Sequence, residues 1–173
     1  MSEYFIQQRS LSTDARTLVQ DTNGKTIFLM VGRWGTRGDV LSLYNMTGEL
    51  VAQIKQSSVL FGHRFDLYEN HVKIGSMQKL LNWHKDIYYV PKLHWLVSGD
   101  IANHRYKIQN LDETIMLMYP INTFSGQYYC LEIENPSYVP RSICIAAVLD
   151  YWLYRTNQEK NRRTNGIINF GAN

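Results

Sequence analysis

From Ser142 to Tyr154 the chain reads Ser-Ile-Cys-Ile-Ala-Ala-Val-Leu-Asp-Tyr-Trp-Leu-Tyr, an almost unbroken apolar stretch after a long succession of strand-and-turn patterns. As a helix, this stretch is apolar on nearly every side, whereas a surface helix confines its apolar residues to one stripe. Such a helix needs partners all around it, so the preceding strands are expected to wrap it. At ~1.5 Å per residue the run reaches about 20 Å, short of the ~30 Å hydrocarbon core of a bilayer. Asp150 inside it would also be costly in lipid. The expectation is therefore a helix over about residues 141–154, buried within the protein.

The residues before it alternate with period two and turn at clusters of Asn, Asp and Gly. Thr17 to Gln20 turns at Asp21-Thr-Asn-Gly24 into Lys25 to Val31, and Val40 to Tyr44 turns at Asn45-Met-Thr-Gly48 into Glu49 to Lys55. Similar units follow around Glu69-Asn-His71 and Asn110-Leu-Asp112, and Gln127 to Glu134 reads as the last strong strand. Leu50, Ala52 and Ile54 alternate with Val51, Gln53 and Lys55, as one-sided burial requires. Pro140 suits a first helical turn. About a dozen consecutive antiparallel strands need closure, and a barrel too wide for side chains alone can be filled by a helix. The expected fold is thus mainly β: an antiparallel closed barrel of about twelve strands around a central hydrophobic C-terminal helix. One domain is expected over residues 1–154, with a polar tail over 155–173.

Composition narrows the partners more than the chemistry. Hydrophobic residues at 45% against charged residues at 19% place the chain among folded globular proteins. The formal charge of +3 is too mild to imply nucleic acid. Cys130 and Cys144 both lie in apolar contexts and read as reduced core thiols, not a disulfide framework. The N-terminus has no basic region followed by a long apolar run, so the cytoplasm is the expected compartment.

Several segments resemble the tubby C-terminal-like superfamily, particularly its LURP-one-related group, with phospholipid scramblases more distant. The resemblance rests on the opening Tyr4-Phe-Ile-Gln-Gln8, the Asp21 to Gly24 and Asn45 to Gly48 turns, and the stretch from Gly99 to Gln109. Its strongest elements are Tyr128-Tyr-Cys-Leu-Glu-Ile133 and Ala146-Ala-Val-Leu-Asp150. It implies a twelve-stranded barrel around a near-C-terminal helix. It also implies phosphoinositide binding in tubby proteins and membrane action in scramblases, although the membrane helix expected after a scramblase barrel is absent here.

No stretch carries a catalytic, nucleotide or metal signature. Gly32-Arg-Trp-Gly-Thr-Arg-Gly38 spaces its glycines like a phosphate cradle, but a strand follows it where a nucleotide loop needs a helix. Arg33 and Arg37 remain candidates for holding an anion there. The segment from Lys79 to Trp95 interleaves Lys79, Lys85 and Lys92 with Trp83, Tyr88, Tyr89 and Trp95, the composition of an interfacial surface and, more commonly, of ordinary barrel strands. The five histidines lack metal-ligand spacing. His104 with Asp100, or His84 with Asp86, are the acid–base neighbours the sequence offers. Buried Asp150 is expected to meet an Arg, a backbone donor or solvent at the barrel mouth, as a structural lock.

The expected function is a non-catalytic binding module without cofactor or metal, peripheral at the inner membrane face and engaging anionic phospholipid headgroups through Arg33, Arg37, Lys79, Lys85 and Lys92. A protein-interaction or regulatory scaffold is one alternative. A small-molecule binder or enzyme with a site at the barrel mouth is the other.

Overall fold

The computed structural model describes residues 2–7, 14–33, 40–58, 64–80, 86–124 and 126–150. Its strands are β1 (Ser2–Gln7), β2 (Asp14–Gln20), β3 (Thr26–Arg33), β4 (Val40–Asn45), β5 (Leu50–Ser58) and β6 (Arg64–Glu69). They continue with β7 (Val72–Leu80), β8 (Ile87–Val90), β9 (Trp95–Asp100), β10 (Arg105–Gln109), β11 (Thr114–Thr123) and β12 (Gly126–Ile133). Each strand pairs antiparallel with its neighbours in sequence, and β1 closes on β12 in a register that sets Ile6 opposite Tyr129. The result is a closed twelve-stranded barrel, so no strand edge is left to aggregate.

The turns form where small polar side chains replace backbone partners. The carboxylate of Asp21 accepts from the Asn23 and Lys25 amides at 2.9 and 3.0 Å, and Asn45 Oδ1 accepts from Thr47 and Glu49 at 3.1 and 2.9 Å. Asn110 repeats the device with the amides of Asp112 and Glu113 at 2.9 and 2.8 Å. Asn70 and His71 instead both take positive φ, 46° and 65°, which gives the two-residue hairpin its matching twist. Register shifts at Val19/Gln20, Leu43/Tyr44, Leu67/Tyr68 and Ile108/Gln109 lie near these turns and help curve the sheet.

The alternation points one face of every strand inward, with Met30, Leu43, Ile54, Phe65, Met77, Val97, Ile108 and Leu131 all at most 2% exposed. The helix α1 fills that space; it is described over 139–150, beginning two residues before the expected start. Asn135 caps the 3-10 turn Pro136–Tyr138 that feeds it, accepting from the Ser137 amide at 3.0 Å, and Pro140 sits in the first turn. Residues 142–149 are all buried, which on a helix covers every face and seats α1 in the core with the inner faces of the strands. Residues 151–154 of the expected helix, and the tail, lie outside the described residues. Cys130 and Cys144 are buried free thiols.

The barrel keeps its apolar side chains inside and charged ones such as Lys73 and Lys107 outside, the inverse of a membrane-spanning barrel. Among the described residues no helix is long and apolar enough to cross a membrane.

Gly99 marks a pinch in the wall. It sits at φ +135°, and a Cβ there would lie 2.7 Å from both the Arg105 carbonyl oxygen and Tyr106 Cα. Gly99→Ala is therefore expected to cost at least about 1–3 kcal/mol, read as a lower urea midpoint at unchanged slope. A midpoint equal to the wild type would contradict that geometry.

Candidate functional site

The site begins at a gap in barrel pairing. Strand β7 pairs with β8 only through Gln78, Lys79 and Leu80. Nearer its start, the 3-10 turn Pro91–Leu93 leans against β7 in place of a strand. Gly75 faces the end of β8 and the turn: a Cβ on it would come within 2.9 Å of Val90 Cγ1 and 3.8 and 3.9 Å of Leu93 Cγ and Lys92 Cβ. What results is an outward groove of about 310 Å³ lined by Arg64, Lys73, Ser76, Gln78, Pro91 and Lys92.

The register shift at Leu67/Tyr68 brings Lys73 opposite Tyr68, on the outer face with Asp66 and Ser76. Under the groove Asp66 accepts Lys73 Nζ at 2.7 Å and the Ser76 hydroxyl at 2.7 Å, with Arg64 Nε at 3.7 Å. Burial pushes the Asp66 carboxyl up, but the Lys73 and Ser76 hydrogen bonds and the Lys73 charge outweigh it and hold the pKa below the usual value. Asp66 therefore stays ionised and neutralises only one of the cations. Three cations, Arg64, Lys73 and Lys92, against this one carboxylate leave a formal excess of two positive charges. Arg64 Nη2 also donates to Ser76 Oγ at 3.2 Å, and Lys92 Nζ donates to the Lys73 carbonyl at 3.3 Å, so the charged ends are held in place.

Of the lysines and arginines expected from sequence, Lys92 alone lines this groove. Lys79 is engaged by Asp86, Nζ to Oδ1 at 2.5 Å. Arg33 closes β3, but its side chain lies outside the described residues, as do Arg37 and Lys85. Two rings of the basic-aromatic segment are core: Tyr88 is 1% and Trp95 3% exposed, so neither forms an interfacial surface. Arg64, Lys73 and Ser76 were not singled out by sequence. The detectable signal was the alternation Arg64-Phe65-Asp66, which puts both charges on one outer face.

The first turn and the last described residue of α1 carry two further polar contacts. Arg141 meets Glu69 bidentately, Nε to Oε1 at 2.7 Å and Nη2 to Oε2 at 2.5 Å, beneath little solvent. The guanidinium lies 5.8 Å from the Trp95 ring centre and 5.5 Å from that of Tyr138. A cation in a helix's first turn opposes the helix dipole, and the Glu69 carboxylate offsets it.

Asp150, the last described residue of α1, meets no Arg among the described residues, but its side chain keeps about 20% of its surface open to solvent, one of the expected alternatives. Its Oδ1 lies 3.4 Å from His104 Nδ1, too poorly aligned to count as a hydrogen bond, and the Tyr129 hydroxyl hydrogen-bonds to the carboxylate. The His104 ring packs on Tyr129 with centres 4.6 Å apart. Asp100, its neighbour in sequence, is instead tied to Asn103. The cleft beside Asp150, lined by Gln7, Thr17, Tyr129 and Ala147 among others, has a volume of about 10 Å³, room for one water. Among the described residues no cluster of His, Cys, Asp and Glu could hold a metal.

Burial pushes the His104 pKa below its usual 6.5, opposed by the charges of Asp150 and Asp100, and pushes that of Asp150 up, opposed by His104 and Tyr129. An unfolded chain protonates this imidazole near pH 6.5, the native chain only at lower pH. The native state then binds fewer protons, and stability falls as pH drops through 6.5. The Asp150 contribution has the opposite sign and sets in at its ordinary value of 3.8, with stability falling as pH rises toward the raised native pKa. His104→Asn, which tolerates the residue's φ of 56°, is expected to shrink the loss of melting temperature between about pH 7.5 and 6. Equal losses in variant and wild type would contradict this assignment.

No solved structure matches the chain. It is 23% identical over 159 residues to the uncharacterised protein YxjI of Bacillus subtilis strain 168, covering 92% of this chain and 98% of that protein. The LURP-one-related family model matches residues 2–150, the whole span from β1 through the described helix. Barrel, central helix and sequence match agree, and the chain belongs to the LURP-one-related family.

Proposed function

We propose that the protein is a non-catalytic binding module, acting at the cytoplasmic face of a membrane, whose β6–β7 groove takes the phosphate of anionic phospholipid headgroups. The observation that carries this reading is the excess of two positive charges held around a groove of about 310 Å³ by Arg64, Lys73 and Lys92. A phosphate diester brings one negative charge and acceptor oxygens, which suit guanidinium and ammonium donors. The helix-filled interior favours an outer-surface role, because the cleft beside Asp150 has room for about one water among the described residues.

Co-sedimentation with phosphatidylcholine vesicles, with and without phosphatidylglycerol, tests it. Binding is expected only to the anionic vesicles and is expected to weaken at high salt. Lys92→Glu changes the local charge by two, at ~1 kcal/mol per charge near the surface, so its partition coefficient is expected to fall roughly 30-fold. Absence of binding to any vesicle, or undiminished binding of the variant, would overturn the proposal.

A further inference from the structure

A second depression lies on the outer face of β8–β11 and shares no lining residue with the groove between β6 and β7. Pairing sets Tyr88 opposite Val97, Lys107 opposite both Ser98 and Leu117, and Tyr106 opposite both Gly99 and Met118. With Tyr88, Val97, Tyr106 and Met118 directed into the core, the outer face carries Ile87, Ser98, Lys107 and Leu117 as one row and Arg105 and Tyr119 beside it. Ser98 and Gly99 are small, so the bulkier residues around them flank an open hollow of about 500 Å³ on the barrel surface. Sites that hold small organic ligands run to roughly 300–1,000 Å³.

The charges there differ in kind from those of the first groove. Arg105 and Lys107 are exposed, and among the described residues neither has a carboxylate within ion-pairing distance. The nearest carboxylates in register are hydrogen-bonded to neutral donors and make no ion pair with either cation. Asp100, opposite Arg105, accepts the Asn103 amide at 3.1 Å and its Nδ2 at 2.7 Å. Glu132, opposite Leu117, accepts the Tyr119 hydroxyl at 2.5 Å. Two cations on one strand therefore border a hollow whose other walls, Ile87, Leu117 and the Tyr119 ring, are apolar.

We infer that this hollow is a binding site for a small apolar carboxylate, of the medium-chain acyl class. Its carboxylate lies between Arg105 and Lys107, where a guanidinium fork matches it bidentately, and its hydrocarbon body crosses Ser98 toward Ile87, with Leu117 and the Tyr119 ring flanking the cations on the opposite side. Both halves of the ligand are required. A bare anion buries no apolar surface, and a neutral chain leaves the two cations uncompensated.

Chemical-shift titration of the full ¹⁵N-labelled chain with octanoate, octanol and acetate tests the assignment. Octanoate is expected to shift the amides of Ser98, Gly99, Arg105 and Lys107 saturably, with octanol and acetate each at least ~10-fold weaker. Arg105→Gln/Lys107→Gln is expected to lose octanoate binding by a similar factor, and Ser98→Leu, which fills the hollow while keeping both cations, to lose it as well. Lys92→Glu, in the other groove, is expected to bind octanoate as the wild type does. The inference is overturned if octanol matches octanoate, if shifts map elsewhere, or if folded Ser98→Leu and the double variant both bind normally. These outcomes are independent of vesicle binding, so the two sites stand or fall separately.

Discussion

Arg141→Ala is expected to lower stability by about 3 kcal/mol, a drop in melting temperature of roughly 10 °C for a chain of this size. Two effects add. The Glu69 carboxylate, mostly shielded from water, loses both donors of its bidentate pair, and a buried charge without a partner is far more costly than a pair removed whole. The guanidinium also leaves the rings of Trp95 and Tyr138, which themselves meet edge to face at 5.3 Å. Arg141→Met combined with Glu69→Leu is expected to recover much of the loss, because no unpaired charge then remains. Melting curves of the single and double variants check this; a double variant as unstable as the single would show that ring contacts, not the ion pair, hold the helix start.

Ile145→Ala is expected to cost about 4 kcal/mol, toward the upper end of the range for truncating a large aliphatic core residue. Ile145 is fully buried at the middle of α1, with Cys144, Ala146 and Val148 also in the core. The cost depends on how far the surroundings collapse into the space vacated. Here the surroundings are a closed, hydrogen-bonded wall that cannot move inward at one point without breaking strand pairing. Urea unfolding at unchanged slope measures the loss; a cost below about 1 kcal/mol would mean that the helix is not seated inside the barrel.

The architecture was legible because each of its parts has a local cause. Asp21, Asn45 and Asn110 announce their turns through side chains that bond amides two to four residues on, and the run around Ile143 to Leu149 announces a buried helix by lacking a polar side. The groove was far less legible. Arg64 and Lys73 come together only through the register shift at Leu67/Tyr68, which decides whether Lys73 faces in or out, and Lys92 joins them because a turn replaces strand pairing beside Gly75. Neither event leaves a period in the sequence. The basic-aromatic segment is ambiguous for a related reason: composition alone does not say which rings face out, and alternation turns Tyr88 and Trp95 inward, as ordinary barrel strands do. Asp150 reads as an acid in need of a partner, but the sequence does not show that Tyr129 on β12 bonds it or that His104, in the turn before β10, lies 3.4 Å from it.

The most direct test of the proposal that the β6–β7 groove takes headgroups is backbone hydrogen exchange with and without phosphatidylglycerol vesicles. Slowed exchange is expected at the Pro91–Leu93 turn and along the adjoining edge of β7 around Lys73 to Met77, and it should vanish in Lys92→Glu. Slowing confined to other parts of the barrel, or the same pattern in the variant, would contradict the groove as the membrane-facing site.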